Sequence, residues 1–156
     1  MGWINFSIKE VRELRDILSS TNISSKIIRK LINSEKRIKI SSAKSKGRNL
    51  QKWICTRLAF LLNIKYDQQD DNCLIHSREM GQKGVDIVLR GEALKRFPFS
   101  IECKSSEKLD FLPTIEQAER NKKKDTDWLI VYKRKAIKEP VVIIYWSVFE
   151  RIYKWN

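Results

Sequence analysis

Three charged residues interrupt two segments that otherwise read as buried strands: Asp86 in GVDIVLR, and Glu102 and Lys104 in FPFSIECK. Charge inside a buried strand is costly unless it is paired or serves chemistry. Side chains two residues apart on a strand share a face, about 6.6 Å from each other along the chain. Glu102 and Lys104 therefore project together, away from Phe99 and Ile101. If the two segments pair, Asp86 stands beside Glu102. Two carboxylates brought that close repel, and one becomes a weak acid unless a cation sits between them. A hard divalent ion, Mg²⁺ or Mn²⁺, relieves the repulsion, because it accepts carboxylate oxygens and keeps several waters. It also acidifies a water it binds, and a nearby lysine orients that water or steadies developing negative charge. Those parts suit hydrolysis of a phosphodiester. The bland alternative is an exposed sheet face with a cross-strand ion pair worth about 0–1 kcal/mol.

The elements that must position these residues follow from the hydrophobic pattern. Asn49 is placed to cap a helix with Leu50, Trp53, Ile54, Leu58, Leu61 and Leu62 on one face. A loop rich in Asp, Gln and Asn leads to a short strand, CLIHS. In GVDIVLR, Val85, Ile87 and Leu89 point one way and Asp86, Val88 and Arg90 the other. GEALK reads as a turn. FPFSIECK is the next strand, with Phe99, Ile101 and Cys103 opposite Ser100, Glu102 and Lys104. Pro113 opens a helix near 113–123, and WLIVYK and VVIIYW are two further strands split by a basic turn. Helix, three strands, helix, two strands is an α/β (α+β) order, built as a central mixed β-sheet flanked by helices. Upstream, two short helices are expected at about 7–19, with Ser7 as N-cap, and at about 23–34. KRIKISSAKSKGRN then reads as a linker or flexible arm broken at Gly47. The chain thus divides into a basic two-helix extension, 1–45, and a core, 46–156.

Charge is lopsided. The 156 residues hold 32 Lys+Arg against 19 Asp+Glu, a net +13. Residues 1–48 alone hold twelve Lys/Arg and four Asp/Glu. Such an excess favours a polyanionic partner, DNA above all. Lys26, Arg29 and Lys30, on the outer side of the second helix, suit phosphate contact, which positions a protein without reading sequence. No apolar run approaches the roughly 20 residues of a membrane span. The N-terminus lacks the apolar core of a cleavable signal, so a cytoplasmic protein without a membrane partner is expected. A structural zinc site wants four N/S ligands, usually in close pairs. Cys55, Cys73 and Cys103 are too widely spaced for that, and they read as buried free thiols. His76, the single histidine, reads as a hydrogen-bonded structural residue. Trp3, Trp53, Trp128, Trp146 and Trp155 read mostly as core or edge packing.

Asp86 followed by Glu102-Cys103-Lys104 resembles the PD-(D/E)XK, or restriction-endonuclease-like, nuclease superfamily over roughly 46–146. Asp86 falls on that family's first acid, and ECK fills its (D/E)XK element, while Val85 replaces the signature proline. KGRNLQKW, residues 46–53, is similar to the opening helix of archaeal Holliday-junction resolvases and of several phage nucleases. Gln51 stands there where many relatives carry a metal-binding glutamate. PTIEQAERN resembles the helix after the core strand, with Gln117, or Glu116, at its active-site position. Ser77-Arg78 before Gly81 resembles a phosphate-contacting segment of resolvases.

The resemblance implies an αβββαββ core and a divalent-metal-dependent DNA endonuclease of phage or mobile-element type. In that scheme Asp86, Glu102 and the main-chain carbonyl of Cys103 hold Mg²⁺ or Mn²⁺. Lys104 positions the attacking water or steadies the charged transition state, Gln117 orients water or phosphate, and Gln51 supports the site from the first core helix. Lys46, Arg48, Ser77, Arg78 and Lys83 are the candidate DNA contacts. Cleavage of a four-way junction would imply a symmetric homodimer with two sites. The alternative is a non-catalytic basic DNA-binding protein on the same fold, which the neutral Gln51 favours.

Overall fold

The computed structural model describes residues 7–19, 25–70, 72–79 and 81–154, with the backbone alone at residues 25 and 35–41. Trp3 and Trp155 lie outside the described residues. Two compact units are distinguished, Met1–Ser45 and Lys46–Asn156.

In the first unit, α1 (Ile8–Ser19) starts at a reciprocal cap. Ser7 Oγ accepts the Glu10 N–H at 3.3 Å, and Glu10 Oε2 accepts the Ser7 N–H at 2.6 Å. The Ser-x-x-Glu spacing satisfies two N-terminal donors that have no partner within the helix.

The next element, α2 (Ser25–Leu62), is one helix of 38 residues. The expected linker at KRIKISSAKSKGRN is helical, and Asn49 lies inside the helix instead of capping it. The physical reason is in the composition. The stretch has no proline, and its one glycine costs a helix only about 1 kcal/mol, too little to interrupt a run in which Lys and Arg, good helix formers, are together the commonest residues. The helix ends at Leu62 with Asn63 in the left-handed region (φ 50°). The Asn63 N–H donates to Phe60 O at 3.2 Å and the Ile64 N–H to Ala59 O at 2.9 Å, the paired bonds of a Schellman stop.

In the second unit, α2 buries Leu50, Ile54, Cys55, Leu58, Ala59 and Leu62. Trp53 and Leu61, expected on this face, are 47% and 65% exposed. Cys55 and Ala59 take the buried stripe instead, and their small side chains let the helix lie close against its neighbours.

The sheet holds β1 (Ile75–Ser77), β2 (Ile87–Leu89), β3 (Phe99–Ser105), β4 (Asp127–Lys133) and β5 (Val141–Ile143), in spatial order β1-β2-β3-β4-β5. Only β3 and β4 are parallel, joined through α4 (Phe111–Asn121); the other pairs are antiparallel. GEALK is not a turn but a short helix, α3 (Gly91–Arg96), which buries Ala93 completely. Pro113 is the third residue of α4, not its first. It still lies in the first turn, where its missing N–H had no acceptor within the helix. VVIIYW is strand only to Ile143. Its aromatic end enters an unanticipated helix, α5 (Trp146–Lys154), which buries Val148.

One core joins α2 to Ile75, Ile87, Leu89, Ile101, Leu129 and Val131. On the other side Ala118 of α4 packs with Trp128 and Ile130, and Trp128 Nε1 donates to Glu119 Oε1 at 2.8 Å. The fold is α+β, a five-stranded mixed sheet flanked by helices. Because α4 covers its face of β3, Ser100 and Glu102 are each only 3% exposed. Among the described residues, no helix is long and apolar enough to cross a membrane.

Candidate active site

Strand register brings the two acids together. Ile87 pairs with Ile101 across antiparallel β2 and β3, so the next rung sets Asp86 opposite Glu102. Asp86 lies just before β2 and is anchored from several directions. Its N–H donates to Ile101 O at 3.0 Å, and its carbonyl accepts the Arg78 N–H at 2.7 Å. Its Oδ2 accepts the Cys103 N–H at 2.6 Å. The loop before it is pinned by Arg78, whose Nε donates to Val85 O at 2.8 Å. Gly84 permits this: its φ is +109°, and a Cβ there would sit 3.1 Å from the Arg78 guanidinium.

Glu102 ends in a closed triangle. Its Oε1 lies 3.0 Å from Lys104 Nζ and accepts from Gln117 Nε2 at 2.5 Å. Lys104 Nζ in turn donates to Gln117 Oε1 at 2.7 Å. The second oxygen, Oε2, accepts from Asn121 Nδ2 at 3.4 Å. Asn121 is the residue that sequence reasoning misses, although Gln117 and Asn121 are four apart and so share a helical face. That spacing in PTIEQAERN is the signal that could have found it.

Gln51 is 4% exposed, lines the same cleft as Asp86 and helps to hold the Asp86 carboxyl charged. Burial, and secondly the charge of Glu102, push that carboxyl from an ordinary 3.8 up to about 6; the Cys103 N–H, Lys104 and Gln51 oppose the rise. Burial and then the two carboxylates hold the Cys103 thiol well above its ordinary range. It stays protonated and offers no thiolate nucleophile.

Gln51, Asp86, Glu102, Cys103, Lys104 and Gln117 all line one cleft of about 420 Å³. Lys83 and Arg120 stand on its rim, with Glu79 and Gln82. Lys46, Arg48, Ser77, Arg78 and Glu116 are not among its lining residues. Lys46 lies 3.9 Å from Glu107, and exposed Glu116 lies 3.9 Å from Arg120. Arg78 braces the loop as described, Ser77 closes β1, and Arg48 is exposed on α2. His76 is half-buried on β1, opposite Val88.

Among the described residues, no three His, Cys, Asp or Glu side chains gather as a metal cage. The donor set is smaller: two carboxylates, the amide oxygen of Gln51 and the main-chain carbonyl of Cys103. It fits Mg²⁺, which is commonly held by one or two carboxylates and keeps several waters. The Asp86 carboxyl, raised first by burial and secondly by the charge of Glu102, is one that a cation at this pair would hold in its charged form. A scan against protein-family models, a search of curated proteins and a search of solved structures each found no match to this chain.

Proposed function

We propose that the chain is a divalent-metal-dependent DNA endonuclease whose core, 46–156, is a restriction-endonuclease-like αβββαββ unit. The observation that carries the proposal is the convergence of Asp86, just before β2, with Glu102 and Lys104 of β3 and Gln117 of α4 in one cleft. The net charge of +13 supports a polyanionic substrate. Asp86, Glu102 and the Cys103 carbonyl would hold Mg²⁺ or Mn²⁺, with Gln51 as a neutral supporting donor. When bound, the ion neutralises the paired acids and lowers the pKa of a water it carries. The chain's own residues do the rest. Gln117 fixes Lys104 against Glu102 and aims its ammonium into the cleft, where negative charge develops on a phosphate under attack. Lys83 and Arg120 at the rim meet the flanking phosphates.

Nicking of plasmid DNA in Mg²⁺ or Mn²⁺, and its loss in chelator, tests the proposal. Asp86→Ala and Lys104→Ala are expected to lose activity by about 10²-fold or more, the scale of removing a positioned charge from a catalytic site. Full activity in either variant refutes the role assigned to that residue. One observation favours a non-catalytic DNA-binding protein: Lys104, Gln117 and Asn121 already satisfy Glu102 without a metal. That alternative predicts salt-sensitive DNA binding with no cleavage in any divalent ion.

A further inference from the structure

α2 lends Gly47 and Gln51 to the carboxylate cleft, but Trp53 and Arg57 to a second cleft of about 770 Å³. β3 divides in the same way, with Lys104 facing the first and Ser105 lining the second. The two clefts are therefore neighbours along both elements.

One wall of the second cleft carries Trp53, which is 47% exposed. Phe60, 76% exposed, is not among the lining residues but flanks the same Arg57. The Arg57 guanidinium carbon lies 6.0 Å from the Trp53 ring centroid and 5.7 Å from that of Phe60. Large flat side chains left in water beside a guanidinium form a platform for another flat π-system. The facing wall is the turn between β4 and β5. Lys133 Nζ closes that turn by donating to the carbonyls of Ile137 and Lys138 at 2.5 and 2.6 Å. Lys135 and Lys138 are thereby held at the rim. Six Lys/Arg and two Glu line the cleft, and one of those acids, Glu107, already faces both Lys46 and Arg134.

We propose that this second cleft binds unpaired DNA, with a base stacked on Trp53 and flanking phosphates on Arg57, Lys135 and Lys138. In a duplex the π-faces are already stacked and out of reach; in a single strand or flap they are free. The proposal deepens the nuclease reading, on which it rests for the identity of the polyanion. It makes the substrate class DNA that carries a single-stranded segment, delivered along α2 to the carboxylates.

The test is binding of a fluorescein-labelled oligothymidylate, and of a blunt duplex of the same length, measured by anisotropy in EDTA. Trp53→Ala is expected to weaken oligothymidylate binding about tenfold or more and to leave duplex binding unchanged, with Trp53→Phe recovering most of the loss. Lys135→Ala with Lys138→Ala is expected to flatten the salt dependence of oligothymidylate binding. Unchanged oligothymidylate affinity in Trp53→Ala, or an equal loss on duplex, overturns the proposal. The nuclease reading is scored separately, by plasmid nicking in Mg²⁺. A wild-type protein that fails to nick but binds oligothymidylate through Trp53 upholds this cleft and sinks the nuclease. A protein that nicks but binds oligothymidylate without need of Trp53 does the reverse.

Discussion

Gln117 joins a buried acid to the one ammonium that balances it, donating to Glu102 and accepting from Lys104. Gln117→Ala leaves Glu102 short of a donor in a setting 3% exposed. The expected loss is about 1–3 kcal/mol, read as a lowered midpoint in urea denaturation. Asp86 works in the opposite sense. Its folded carboxyl titrates at about 6 against an ordinary 3.8, so the folded state holds the proton more tightly than the unfolded chain. The stability this contributes is fully present below about pH 4 and is lost as pH rises through 6. Asp86→Asn should therefore stabilise the metal-free protein at pH 8 by up to about 2–3 kcal/mol, with the advantage gone at pH 4. Thermal melts across that range check it. The pairing of Asp86 with Glu102 is legible in the sequence because period-two geometry fixes which side chains share a face. Of the donors around Glu102, Lys104 is legible from the same period-two geometry and Gln117 from the resemblance. Asn121 needs the helix to be rotated into place, which its hydrophobic pattern does not define finely.

At the level of elements, strands with strong alternation are readable and helices with mixed composition are not. GVDIVLR and FPFSIECK keep their faces because Val85, Ile87 and Leu89 of the first and Ile101 of the second are buried as the alternation requires. KRIKISSAKSKGRN reads as a linker because charge and serine dominate it, yet nothing in it forbids a helix. Gly47→Ala discriminates between the two states. In a helix it should stabilise by about 0.5–1 kcal/mol, whereas in a flexible linker it would change little. Hydrophobicity alone sends Trp53 to the core, and it does not distinguish a packed indole from one displayed for use. Gly84 has a sharper requirement. At φ +109° and with the Arg78 guanidinium against it, Gly84→Ala should cost about 1–2 kcal/mol and loosen the loop that carries Asp86. Faster hydrogen exchange at the Arg78 amide would report it.

For the molecule as a whole, a cation at the acid pair would stabilise the folded state by mass action. Mg²⁺ at about 100 times its dissociation constant should add about 2.7 kcal/mol. The melting temperature of wild type should then rise by several degrees, return in EDTA, and fail to respond in Asp86→Asn.

The single parallel contact in the sheet, β3 against β4, has a consequence for how the chain assembles. β1, β2 and β3 meet through short connections, as do β4 and β5, and such closures cost little entropy. β3 and β4 cannot meet until α4 has docked between them in sequence, so we expect that join to come late in refolding. Gln117 and Asn121 arrive with it. The chain would therefore spend its early moments with two bare acids on a half-built sheet. Pulse-labelled amides of β2, and those of β4 that bond to β5, should gain protection before the amides that join β4 to β3, and mild acid should hasten the final step.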